Sequence, residues 1–301
     1  MPVSKKPRRK KAAPVAQRKV DAIGNLPDRR TMESFLAALA GRPRDESLAE
    51  AQDLMYQAWE STNSRSRIAL AHKALAISPL CADAYNLLAG ESATIAEARD
   101  LYAKGVEAGE LALGPEGFEK YAGHFWGFLE TRPYMRAKAG LADVLKTLGN
   151  EKAAIGHYRD MIKLNPGDNQ GVRYILAGLL LRRGEEAALQ ELLAAYEQEA
   201  SPYWLYTRAL LAFRAGSDGT KRAATLVKQA LSSNQHVPAI LAGTKPPVVS
   251  RGYVTMGGAD EATDYVAEFG SAWRGTPGAM EWLTKMASTL TPKRQAKPVV
   301  H

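Results

Sequence analysis

The feature that most constrains this chain is a period. Between residues 46 and 288, apolar side chains recur at every third and fourth position and not at every second. That is the spacing of a helix face, not of a strand. In 46–60, Leu48, Ala51, Leu54, Met55, Ala58 and Trp59 form one stripe. Thr62-Asn63-Ser64 interrupts it. Ile68, Leu70, Ala71, Ala74, Leu75 and Ile77 resume it, and Pro79 stops it, because the residue before a proline is pushed out of helical geometry. Ala, Leu, Glu, Lys, Gln and Arg dominate the remainder, and all are good helix formers. Helix, short turn, helix, proline is a unit, and the unit returns along the chain.

The clearest copy starts at Met135. Leu141, Ala142, Leu145, Gly149, Ala154, Tyr158, Met161 and Pro166 follow it at a spacing that resembles the tetratricopeptide repeat (TPR), a two-helix unit of 34 residues. Ala142 and Ala154 are small where two helices would approach closely. Leu141, Leu145 and Tyr158 would fill the seam, and Gly149 permits the turn. Weaker copies span 48–79 (Ala71, Ala74), 82–113 (Ala98, Tyr102, Gly105), 169–200 (Ala177, Gly184, Ala188) and 201–234 (Trp204, Gly216, Ala223, Ala230). In 169–200 the first helix fits either of two registers, one residue apart. The expected fold is therefore all-α: a TPR-type α-solenoid, a right-handed superhelix of helix-turn-helix units, with disordered basic tails. Residues 31–237 would hold the repeats, broken by an aromatic-rich insert at 114–134. Residues 238–290 would form an irregular crossing and a closing helix pair, 260–273 and 277–288. Thr276 would cap the last helix, with Pro277 in its first turn.

Three phrases narrow the resemblance: Gly-His-Phe-Trp-Gly at 123–127, Glu-Thr-Arg-Pro-Tyr-Met-Arg at 130–136, and Leu-Asn-Pro-Gly-Asp-Asn-Gln-Gly-Val-Arg-Tyr at 164–174. They resemble the suppressor-of-tumorigenicity-seven-like proteins over roughly 48–288. That resemblance implies a TPR-containing protein that binds other proteins, and it carries no catalytic residue to this chain. Its eukaryotic members are membrane-associated, a property not transferred here because the apolar span for it is missing.

Charge belongs to the ends. The 301 residues include 40 Lys and Arg against 32 Asp and Glu. Residues 1–20 hold eight of the bases and no acid, so the rest of the chain balances. The tails, 1–30 and 291–301, read as disordered. The run from Lys5 to Lys19 would either solubilise the chain or touch nucleic acid weakly through its phosphates. No stretch of about 18 apolar residues suggests a membrane span. A single cysteine, Cys81, excludes an internal disulfide, and the start lacks a secretory core, so a reducing, cytoplasmic setting is expected.

No chemistry-bearing spacing emerges. The five histidines include no pair three or four apart, so no helix face offers two imidazoles to a metal. Phosphate loops and nucleophile elbows are absent. The reading is a chain without catalysis, cofactor or metal that binds a protein or peptide segment on its concave face. Arg136, Lys146, Arg173, Tyr174, Tyr203, Tyr206 and, near its edge, Arg208 would suit a peptide with acidic and apolar side chains. The same arginines would serve equally as internal salt bridges. Ala139 and Asp143 stand where a chaperone-tail receptor needs a cation and an amide. In the insert, His124 and Trp126 would belong either to an aromatic binding surface or to a core. An enzyme would need His124 and Glu130 together in an open cleft.

Overall fold

The structure, a computed structural model, describes residues 45–216, 220–250 and 252–290. Both basic tails lie outside the described residues, so the expectations placed on Lys5–Lys19 and on 291–301 do too. The described residues form thirteen α-helices and no strand. In chain order they are α1 (Glu46–Glu60), α2 (Ser64–Ile77), α3 (Ala82–Glu91), α4 (Ile95–Tyr121), α5 (Arg132–Thr147), α6 (Glu151–Leu164), α7 (Val172–Arg182), α8 (Glu186–Ala195), α9 (Pro202–Arg214), α10 (Lys221–Ser233), α11 (Val237–Leu241), α12 (Ala259–Arg274) and α13 (Ala279–Leu290).

Local chemistry starts and stops these helices. Asp45, Asn63, Thr94, Asn150 and Thr220 each accept a backbone N–H of the first turn, replacing partners that the helix itself cannot supply. Three hairpin turns place a glycine at the same point: Gly149, Gly184 and Gly216, with φ of 79°, 70° and 71°. That left-handed geometry is open to glycine at little cost.

Each helix packs on the next through α6, α7 and α8, and α9 packs on α10. α1 also packs on α3, and α3 on α5. Small residues make the approach close. Ala51, Ala58, Ala71, Ala74 and Ala84 are fully buried around Met55 and Cys81 in a core beneath α1–α3. A second core continues from α4 to α13, built on Tyr158, Trp204, Tyr206, Tyr265, Phe269 and Trp273.

Three expectations change. The insert at 114–134 is half helix: α4 runs on to Tyr121 past a break at Gly114 (φ 60°, ψ 173°) and Pro115. Only 122–131 is a true connection, with one 3₁₀ turn at Phe125–Gly127. The crossing at 238–258 opens inside a short helix, α11. Thr276 does not cap α13. Its hydroxyl donates to the Ala272 carbonyl at 2.8 Å and accepts from Arg214 Nε at 3.0 Å, and the helix starts only at Ala279, after Gly278 (φ 78°).

Candidate functional site

The first helices of successive hairpins, α1, α3 and α5, are tied through one carboxylate. Asp83 is fully buried and accepts from Gln52 Nε2 at 2.9 Å, Asn86 Nδ2 at 3.1 Å and Arg136 Nε at 2.9 Å. A buried charge persists only when it is paired and hydrogen-bonded in this way. The Arg136 guanidinium also lies 5.4 Å from the centroid of the Trp59 ring, which is 41% exposed. Arg136 thus serves internally while helping to shape an accessible aromatic surface. Lys146 is half-buried in the last turn of α5.

Arg173 and Tyr174 belong to an internal network. Asp168, held at φ 44°, accepts the backbone N–H of Val172 and Arg173 and the Arg173 side chain, at 2.9, 3.0 and 2.9 Å. Arg173 Nη2 and the Tyr174 hydroxyl both donate to Glu199, at 2.7 and 2.8 Å. Burial pushes the Glu199 carboxyl up, but these bonds outweigh it and hold the group below its ordinary value. The guanidinium stacks 4.3 Å from the Tyr174 ring centroid and 5.3 Å from that of Tyr196.

Tyr203 and Tyr206 face α12. Their rings lie 5.9 and 5.6 Å from that of Tyr265, and Tyr203 is 5.8 Å from Phe269. Tyr206 is fully buried, its hydroxyl donating to the Asn234 carbonyl at 2.7 Å. On α7 a Cβ at Gly178 would stand 2.6 Å from Glu268 of α12, and Arg182 pairs with Glu268 at 2.7 Å. The face that carries Tyr203 and Tyr206 thus holds the chain's own α12. The signal was present in the Tyr265 and Phe269 stripe, but no local pattern says where a stripe docks. Arg208 donates to the carbonyls of Leu193 and Glu197 at 3.0 and 3.3 Å, at the C-terminal end of α8, where a cation meets unpaired carbonyls.

The structure also joins two segments that lie far apart in the chain. Residues 122–131 lead into α5, and residues 165–171 lead into α7. Asn165, 5% exposed, accepts the Trp126 N–H at 3.3 Å and donates to Asn169 Oδ1 at 3.1 Å. Arg132 Nε donates to the Trp126 carbonyl at 3.0 Å, and the Tyr196 hydroxyl to that of Pro166 at 2.7 Å. Thr131 ties its own loop by donating to the Phe125 and Phe128 carbonyls. Between the loops lies an open cleft of about 470 Å³, lined by His124, Gly127, Asn165, Pro166, Gly167 and Asn169. Glu130 is not among the lining residues. The aromatic insert divides: Tyr121, Phe125 and Tyr134 are core, Trp126 is half-buried, and His124 and Phe128 are exposed.

Elsewhere, Cys81 is fully buried and its thiol is pushed up to about 12 by burial. No helix of the described residues is long and apolar enough to cross a membrane.

Comparison with known proteins supplies the family. The family model described as ST7 protein matches residues 42–293. A Protein ST7 homolog of Drosophila pseudoobscura pseudoobscura is 29% identical over 257 residues, covering 78% of this chain and 48% of its own. The Suppressor of tumorigenicity 7 proteins of Macaca fascicularis and Rattus norvegicus are each 28% identical over 285 residues, covering 79% of this chain and 53% and 49% of theirs. The chain therefore spans about half the length of these curated relatives. With a match across most of its length, including both loops of the cleft, the chain belongs to the ST7 protein family.

Proposed function

We propose that the chain is a non-catalytic scaffold, a TPR-type solenoid that binds a protein or peptide segment along the face shared by its first helices. The five hairpins α1–α2 to α9–α10, three of them turning at an equivalent glycine, support the repeat reading. The observation that carries the binding reading is α12. It is amphipathic and lies against α7 and α9 through Tyr265, Phe269 and Glu268, as a bound helix lies in a groove. The same face on α1, α3 and α5 carries no such helix among the described residues, and it presents Trp59, Arg136 and Lys146. Aromatic and arginine side chains are the usual anchors of such surfaces. Cys81 offers no nucleophile, because burial holds its thiol far from the thiolate form.

The test is selection of random 12-residue peptides (~12 residues spans about 18 Å as a helix) by the full chain. Enriched peptides should bind the Trp59→Ala, Lys146→Glu double variant about tenfold more weakly. Failure to enrich any peptide counts against the scaffold reading.

A further inference from the structure

Two glycines carry this inference. Glycine costs backbone entropy wherever it is ordered, and most glycines here have a local reason: a left-handed φ, or a neighbour that a Cβ would strike. Among the described residues Gly90, Gly127, Gly156 and Gly167 have neither. Gly90 and Gly156 lie on α3 and α6. Gly127 and Gly167 come from loops far apart in the chain, yet both line the one cleft. A Cβ at Gly127 would meet nothing within 4 Å, and one at Gly167 only Asn169 Oδ1 at an ordinary 3.7 Å. Unlike Gly123 and Gly171 in the same loops, with φ of 80° and 70°, neither position needs glycine for a left-handed backbone. A side chain at either position would narrow the space between them, and glycine is the residue that lets other atoms approach a backbone closely.

The lining describes what would approach. None of the lining side chains is Lys, Arg, Asp or Glu, so the cleft offers no ion pair to a phosphate or a carboxylate. It offers glycine Cα atoms, the Pro166 ring and the polar side chains of His124 and Asn169. The His124 side chain is exposed. Asn169 uses its Oδ1 for Asn165, and its NH₂ makes no hydrogen bond among the described residues. An imidazole and a carboxamide NH₂ beside glycine backbone can pair with the donors and acceptors of a polypeptide main chain. The cleft volume lies in the range of sites that hold small ligands or a few residues.

We propose that the cleft between the 122–131 and 165–171 loops binds an uncharged, extended stretch of a partner polypeptide. The partner's main chain crosses Gly127 and Gly167, and His124 and Asn169 hydrogen-bond its amide groups. This inference rests on the reading that the chain binds polypeptide, and it adds a contact away from the helical face.

The test uses the full chain with Gly127→Trp and, separately, Gly167→Trp. Each projects a ring from a position where the backbone is not left-handed and an added Cβ makes no close contact. Circular dichroism and thermal melting identify the variants that keep the wild-type fold. The probes are uncharged 12-residue peptides (~12 residues reach about 40 Å when extended) enriched from a random library by the wild-type chain and titrated by fluorescence anisotropy. Their Kd should rise about tenfold in a folded tryptophan variant and stay within about twofold in Gly156→Ala, a change on α6 that meets no neighbour. Equal binding to wild type and a folded tryptophan variant overturns the proposal, as does enrichment of charged peptides alone. Loss of binding only in the Trp59→Ala, Lys146→Glu variant overturns the cleft and leaves the scaffold reading standing. Absence of any enriched peptide removes both. If neither tryptophan variant folds, the cleft is too tight to hold a polypeptide and the proposal fails.

Discussion

Gly140→Ala and Gly156→Ala make the same chemical change in the interiors of adjacent helices, and the structure requires opposite results. Gly140 lies in α5 beneath Tyr102 of α4. A Cβ there would stand 2.3, 2.5 and 2.6 Å from Cε1, Cζ and Cδ1 of that ring. Carbon contacts ordinarily sit at about 3.5–4 Å, so the ring or the helix must retreat by about 1 Å. Overpacking of this kind costs about 1–3 kcal/mol, and the better helix propensity of alanine returns about 1 kcal/mol. Three ring atoms overlap at once, which favours the upper half of that range, so Gly140→Ala should lose about 1–2 kcal/mol. Gly109, on α4, meets the Tyr134 Cβ at 2.8 Å and its backbone Cα at 3.1 Å. A backbone atom cannot swing aside, so Gly109→Ala should lose at least as much. A Cβ at Gly156, exposed on α6, meets nothing within 4 Å, and Gly156→Ala should gain about 1 kcal/mol. Equilibrium urea unfolding with unchanged m reads the gap directly. If Gly140→Ala is as stable as Gly156→Ala, α4 and α5 do not approach as described, and the argument that small residues set the helix stacking fails.

Two further predictions concern His157, which is half-buried, and Cys81, which is fully buried. Burial, and then the nearby Lys138, hold the His157 imidazole below its ordinary value of 6.5. The unfolded chain therefore binds the proton first. The contribution of His157 is complete above that ordinary value and is lost as pH falls through and below it. His157→Gln should flatten the fall in unfolding free energy between about pH 7 and 5; an identical slope in the variant rules this out. The Cys81 thiol, pushed up to about 12 and fully buried, should react with a thiol-specific dye only in denaturant. Prompt labelling of the native chain near neutral pH would refute the burial.

Much of the local structure was readable from residue order. The stripe from Leu48 to Trp59 became α1, Asn63 became the cap of α2, and Gly149, Gly184 and Gly216 became turns. The reading failed where one residue type serves two ends. Thr276 has the chemistry of a cap, yet its hydroxyl was taken by Ala272 and Arg214. Arg173 had two open roles, peptide anchor and internal salt bridge, and it pairs with Glu199 and Asp168, while the Tyr206 hydroxyl donates to the Asn234 carbonyl. The two phrases at 123–127 and 164–174 stood out in the chain, but nothing in either said that they would share a cleft.

By itself the sequence determined which faces are apolar, where most helices begin and where their hairpins turn. Those choices are settled within a turn or two, by contacts three and four residues apart. Tertiary structure alone decided that α12 folds back onto α7 and α9, that Arg136 closes on Asp83, and that the loops before α5 and α7 meet. Each depends on two surfaces distant along the chain matching in shape and charge. That match is a property of the pair, and neither segment carries it alone.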